Sequence, residues 1–438
     1  MATDYMEKEF LDKEGLKKVF ELIREEYSSK DDVNENIIAM DVETIESIYC
    51  SSCGCEEEVE LPNNEIWYKT SDNKPIYLGI WVGPGYSLKK TINSLDEVIS
   101  NEYDPEDDCC KIKFNKDIIM IPNDLIYNQP TLCEIIHLPS TIESIGSSFL
   151  NGCSGLQSLD LSGLNNVKSI GSDFLYQCTS LTSLDFSSLN NVESIGDAFL
   201  RNCSGLQAID LLPLSNVESI GNNFLSYCSD LKSFDLSPLS KVTSIGDYFL
   251  CECYNLSSLD LSPLSKVTNI GGGFLSRCSG LTSLDLSPLS KVTNIESAFL
   301  ASCKGLQTID LSPLSKVTSI DEEFLENCSG LQSLNLSSLS GVTSIGDYFL
   351  SGCLGLTSID LSPLSNVTWI GMLFLSNCSN LKTFIIDHPE GLITLPLEKS
   401  YITPDEIYVN DELLTQYQQA VSKWSSKFKP LSEYQGLK

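Results

Sequence analysis

One carboxylate recurs at a fixed place in a repeating pattern: Asp160, Asp185, Asp210, Asp235, Asp260, Asp285, Asp310 and Asp360, with Asn335 interrupting the series. Stacked at the ~4.8 Å spacing of neighbouring strands, such carboxylates raise one another's pKa or recruit cations. Ca²⁺, a hard cation that takes oxygen ligands, is the cofactor this ladder would suit. The opposing reading is a solvated face, eased by Ser183, Ser233, Ser258, Ser283 and Thr308 at adjoining outward positions. A surface this uniform binds something repetitive or nothing. Residues that vary from unit to unit stand elsewhere, beside a Phe-Leu step and just before a recurring Cys. Among them Tyr227, Tyr248 and Arg277 are candidate ligand contacts, because Tyr and Arg are common interface anchors. With Asp185, Asp210, Asp235, Asp260, Asp285 and Asp310 they form the candidate binding set. Ordinary variation of solvent positions is the competing explanation.

Other chemistry has less to stand on. Cys50-Ser-Ser-Cys53-Gly-Cys55 supplies half of a zinc pattern. Cys109, Cys110 and Cys133 do not follow at ligand spacing, so no metal site is assigned. The two histidines, His137 and His388, flank the repeats and read as packing residues and not as general bases. Gly83-Pro-Gly85-Tyr-Ser-Leu-Lys-Lys-Thr91 misses the phosphate-loop pattern, because no lysine follows a glycine. Neither Gly-x-Ser-x-Gly nor His-Glu-x-x-His occurs, and the chain reads as non-enzymatic.

These residues must be placed by a repeat that runs without insertion or deletion from Leu156 to Leu381. The unit at Leu281 is LTSLDLSPLSKVTNIESAFLASCKG and the next, at Leu306, is LQTIDLSPLSKVTSIDEEFLENCSG. Strand alternation turns Leu284 and Leu286 inward and Asp285 outward. Pro288 turns the chain away, since it fixes its own φ and donates no ladder bond. Val292 and Ile295 point inward from a second, shorter extended stretch. Phe299, Leu300 and Cys303 come next at the spacing of a short helical or 3₁₀ turn. Ten of the 17 cysteines occupy this last slot, from Cys153 to Cys378. They read as small buried hydrophobes and not as disulfides.

The flanks differ. Residues 1–40 form a helical attachment segment, with Leu16, Val19, Phe20 and Ile23 on one apolar face suited to sister chains or a particle protein. Beyond it lie a β-rich N-terminal cap (41–135), then the repeat array (136–390) and a C-terminal cap (391–438) with a strand at Glu406–Val409 and a helix from about Asp411 to Lys423. Sixty acidic residues face 28 basic ones, a net charge of -32. That field repels phosphate backbones and anionic membrane surfaces, which argues against nucleic-acid partners. The N-terminus lacks a basic start and apolar core, and no run reaches the ~18 apolar residues of a spanning helix. No membrane insertion is expected.

The unit L-x-x-L-x-L-x-x-L-x-x-V-x-x-I-G-x-x-F-L-x-x-C resembles the BspA-like, or Treponema-type, leucine-rich repeats over roughly residues 136–390. The resemblance implies a leucine-rich repeat solenoid of the α/β class. It would have about ten 25-residue coils, a small N-terminal helix plus β-rich cap, and a C-terminal strand-helix cap. Family members are mostly surface adhesion or host-interaction proteins, which implies a scaffold that binds a protein or glycan on a cell surface. The closing phrase from Ile407 to Tyr434 is similar to the ends of such proteins from gut bacteria and their phages. The opening Phe10-Leu-Asp-Lys-Glu-Gly-Leu16 is similar to the start of phage tail and fibre proteins. A virion host-interaction protein is therefore the first expectation, located on a virion or an extracellular surface. A bacterial or protist surface adhesin is the alternative, and an intracellular interaction scaffold the third reading.

Overall fold

The computed structural model describes residues 61–78, 98–387 and 404–435. Pro62–Lys438 form one compact unit and Met1–Leu61 another. The apolar face of Leu16, Val19, Phe20 and Ile23, the cysteines Cys50, Cys53 and Cys55, the Gly83–Thr91 loop and His388 lie outside the described residues.

The chain is a leucine-rich repeat solenoid, and each coil buries the residues that alternation turns inward. In the unit from Leu281, the side chains of Leu286, Leu289, Val292, Phe299, Leu300 and Cys303 are all shut off from solvent, while Asp285 is exposed. The same positions are buried from coil to coil, giving one continuous core. Along one side the phenylalanines stack ring on ring from Phe149 to Phe374, with centroids 5.4–6.4 Å apart. Because each coil contacts its neighbours, burial is a property of the stack and not of any one unit.

Two local expectations are corrected. The regular parallel ladder runs through the second extended stretch: Ser219 pairs with Ser244 and Ser244 with Asn269, then Asn294 with Ser319, Ser344 and Trp369 in turn. The Leu-x-Leu stretch pairs as regular strand at the ends of the array, as in Glu134 with Ser158 and Ser358 with Thr383. Between them, single bonds join neighbours, such as Gln307 N to Thr282 O at 3.2 Å. The cause is a 3₁₀ turn, Ser287–Leu289 in this unit, which begins directly after Leu286 and carries Pro288. The chain leaves extended geometry there at once.

The Phe-Leu step is not helical. Leu300 has φ 54°, and Ala298 and Ser302 on either side both have φ 59°, so every second residue is left-handed. An L-residue pays roughly 1–2 kcal/mol for that conformation. The alternation aims successive N–H groups at both neighbouring coils: Ala298 N donates to Glu322 O (2.7 Å), Leu300 N to Phe274 O (3.0 Å) and Ser302 N to Glu326 O (2.5 Å). The recurring cysteine serves the same step. Cys303 Sγ donates to Leu275 O in the preceding coil at 3.1 Å, and Cys278 to Leu250 O at 3.0 Å. The slot therefore wants a side chain that is small and also a weak donor.

Both caps close the core by extending its sheets. The antiparallel strands Glu65–Thr70, Val98–Asp104 and Cys109–Phe114 join Leu132–His137, which pairs in parallel with the first coil. His137 is buried, its Nε2 2.9 Å from Pro62 O and its ring edge-on to Trp67. At the far end Glu406–Val409 and Phe428–Pro430 continue the ladder, and Tyr417 of the short helix Leu414–Ala420 is buried there with Trp424. Among the described residues no helix is long and apolar enough to cross a membrane.

Candidate binding site

The aspartate ladder turns out to hold its own backbone. Asp260 Oδ1 accepts from Ser262 N at 2.8 Å and Oδ2 from Ser262 Oγ at 2.9 Å; Asp235, Asp285 and Asp310 repeat both bonds with Ser237, Ser287 and Ser312. Asp185 and Asp210 make the backbone bond, to Ser187 N and Leu212 N. Asn335 does the same with Ser337 N at 2.9 Å, which explains why an amide can stand in the series. These bonds hold the carboxyls of Asp235 and Asp310 below the usual carboxylate range. One carboxylate per coil, turned onto its own chain, is an Asx-type turn. Among the described residues no three His, Cys, Asp or Glu are placed to hold a metal ion.

The other three candidates converge. Tyr227, Tyr248 and Arg277 line one cleft of about 490 Å³, together with Asp247, Glu252, Glu296 and Glu323. Arg277 Nη1 lies 2.7 Å from Glu252 Oε1, and Tyr254 donates its hydroxyl to the other oxygen. The bond to Glu252 pushes the Tyr254 hydroxyl up to about 12, and the same carboxylate raises Arg277. Burial first, and then Glu252, raise Tyr227. Arg201 sits over both Tyr176 and Tyr227, 5.3 and 5.4 Å from the ring centroids, a cation–π arrangement. Room for the cleft comes from Gly272 and Gly273. A Cβ on Gly273 would lie 2.5 Å from Tyr248 Cδ1, so the ring rests on the bare backbone.

The backbone makes this cluster unusual. Tyr227, Tyr248, Glu252, Arg277 and Glu323 all stand at the left-handed positions beside the Phe-Leu step, with φ between 59° and 63°. Other coils place Asn202, Asn223, Asn327 and Asn377, or Gly152 and Gly352, at these positions, with Gln177, Tyr348 and Leu373 as isolated bulky residues there. Asn and Gly tolerate this conformation best. Bulky residues collected at disfavoured positions are a sign of function.

Two further regularities fail at the same place. A side-chain ladder runs from Asp197 Oδ1 to Asn222 N, from Asn222 Oδ1 to Asp247 N and from Asp247 Oδ1 to Gly272 N, each at 2.8 Å. It stops at Gly272, which has no side chain, and reappears as Asp347 Oδ1 to Met372 N at 2.7 Å. The residue after the inward Ile is glycine in Gly146, Gly171, Gly196, Gly221, Gly246, Gly271, Gly346 and Gly371. A Cβ at Gly246 would lie 2.7 Å from Asn222 N, so the coils approach too closely for a side chain. Glu296 and Asp321 break that rank in two successive coils. Glu252, Glu296 and Arg201 were not among the sequence candidates. The lapse of the glycine rank at Glu296 and Asp321 is the sequence signal that could have found Glu296.

The family model described as BspA type leucine rich repeat region (6 copies) matches this chain at residues 119–239, 212–315 and 293–396. No curated protein matches the chain. Solved structures with a similar fold include a leucine-rich repeat protein of Bacteroides ovatus (19% identity, TM-score 0.41, covering 70% of this chain and 90% of that one). Another is a leucine rich cell surface protein of Faecalibacterium prausnitzii (21%, TM-score 0.42, 62% and 77%). A third is a Treponema pallidum leucine rich repeat protein (23%, TM-score 0.33, 38% and 72%).

Proposed function

Because this chain belongs to the BspA-type leucine-rich repeat family, we propose that it is a non-catalytic recognition scaffold at a cell surface, which grips a protein partner through the cleft of Tyr227, Tyr248 and Arg277. The carrying observation is the gathering of five bulky polar and aromatic side chains at left-handed backbone positions, Tyr227, Tyr248, Glu252, Arg277 and Glu323, in one acidic cleft. Asp247, Glu252, Glu296 and Glu323 outnumber Arg277 there, so the partner presents basic side chains flanked by apolar ones. The virion setting rests on the short phrases at the chain ends, and its helix lies outside the described residues. The adhesin setting rests on the repeat itself and is the one adopted.

The test is a selection of displayed random peptides on the full chain, with Tyr227→Ala/Tyr248→Ala/Arg277→Ala as counter-target. Basic peptides should bind the native cleft at least about tenfold tighter, or ~1.4 kcal/mol. Tyr248→Asn, which copies Asn223 of the preceding coil, should also lose binding while gaining roughly 1 kcal/mol of stability from relieved backbone strain. Peptides that enrich equally on both targets, or on neither, would sink this reading.

A further inference from the structure

The interrupted coils carry a second concavity that adjoins the cleft at Glu296. A groove of about 270 Å³ opens on the parallel ladder, lined by Asn294, Ser319, Ser344, Trp369, Glu296 and Asp321. The first four are paired in register in successive coils, so their side chains form one row along the stack. Trp369 takes the place of the Ser or Asn that occupies this position in the other coils, and it is 57% exposed. The two carboxylates are the residues that displace glycine from a rank where close approach otherwise requires it.

We propose that this groove binds a neutral oligosaccharide, with one sugar ring stacked on Trp369 and the hydroxyls of the sugars that follow it held by Ser344, Ser319, Asp321, Asn294 and Glu296. A tryptophan on a strand offers a rigid flat apolar face at little entropic cost, the complement of the C–H face of a pyranose. The row beside it holds amide, hydroxyl and carboxylate groups, which together donate and accept. Sugar hydroxyls do both, and a carboxylate can accept from two adjacent ones. The alternatives fit less well. A peptide strand would need free ladder groups, and these are spent: Gly346 N donates to Ile320 O (2.9 Å) and Thr343 N to Thr318 O (3.0 Å). Phosphate, sulfate and uronate groups are repelled by Glu296 and Asp321. This sugar groove is a second site beyond the protein cleft, with which it shares Glu296.

The experiment probes an immobilised panel of neutral glucose, galactose, mannose and xylose oligomers, with sulfated and uronate counterparts, using the full chain, and follows the strongest by isothermal titration calorimetry. The native protein should bind at least one saturably. Trp369→Ala should weaken that binding by about tenfold or more. So should Glu296→Gly/Asp321→Gly, which restores the repeat and keeps the fold. Tyr248→Asn should leave it unchanged. Binding of no neutral member, tighter binding of sulfated or uronate probes, or equal binding by both groove variants would overturn the proposal. Loss in Tyr248→Asn with none in Trp369→Ala would place the sugar in the other cleft and overturn it as well.

Discussion

The coils from Leu156 to Ile270 and those from Gly271 to Glu323 share one core and differ on the surface. In the first stretch the glycine rank is complete, and from Asp197 to Gly272 side-chain oxygens cap the next coil's backbone. In the second, the capping side chain is missing at Gly272, and Glu296 and Asp321 displace glycine. The Phe column and the thiol rank pass through both without a change of spacing or partner. Within an array, then, the recurring residues are the ones that build the coil. Those that depart from the pattern without a packing reason gather at the surface, in the cleft and the groove. The aspartate ladder belongs to the first kind and the Tyr-Arg-Glu cleft to the second.

Three perturbations would break or sharpen that contrast. The largest acts on the shared core. Burial pushes the repeat thiols up, Cys328 and Cys153 to about 12, and Cys203 and Cys228 well above the ordinary thiol value. The folded state therefore keeps its thiol protons while the unfolded chain releases them above about pH 8.5. Stability is full below that value and is lost as pH rises toward the folded values, by about 1.4 kcal/mol per thiol per pH unit. Melting temperature should fall steeply between about pH 9 and 11. Cys203→Ala/Cys228→Ala and Cys278→Ala/Cys303→Ala should flatten that limb equally. Unequal flattening would show that the core is not shared.

The second perturbation puts a charge into the core. Val267→Asp, in a regular coil, and Val317→Asp, in an interrupted one, each bury a carboxylate without a partner and should cost several kcal/mol. Denaturant unfolding should register similar losses for both. A tolerant Val317→Asp would mean that the second stretch is loosely packed beneath its altered surface. The smallest effect concerns the ladder. Asp260→Ala removes the cap on Ser262 and should cost about 1 kcal/mol, whereas Asp260→Asn should cost a few tenths, because the amide oxygen still accepts. Calorimetry that found the two variants equal would show that the carboxylate's charge, and not merely its accepting oxygen, holds the turn.

The inward residues and their register were legible because leucine, valine, isoleucine and phenylalanine recur at fixed places and apolar burial obeys simple periods. Which extended stretch would carry the ladder was not, since both alternate and the deciding factor is the 3₁₀ turn at Ser287–Leu289. The left-handed leucines were hidden too. Leu300 carries no mark of its conformation, although Asn and Gly two residues on, as in Leu150-Asn-Gly152 and Leu200-Arg-Asn202, are the cue that a turn of that hand leaves. Tyr227, Tyr248 and Arg277 could be picked one by one as exposed anchors. Their meeting in a single cleft required the stacking of coils that are distant in sequence. The cysteine slot was read correctly as small and buried. Its donation to the preceding leucine carbonyl needed coordinates.

The unbroken register has a consequence for inheritance. Since every regular coil presents the same upper and lower surface, deleting or duplicating one whole unit rejoins matching leucines, phenylalanines and cysteines. Units such as Leu156–Ser180 and Leu181–Gly205 keep apolar inward residues at the same places, so one can follow or replace the other in the stack. Coil number can thus change there at little structural cost. From Tyr227 to Trp369 that freedom ends, because cleft and groove are each assembled across several neighbouring units, and a unit lost there takes part of a site with it.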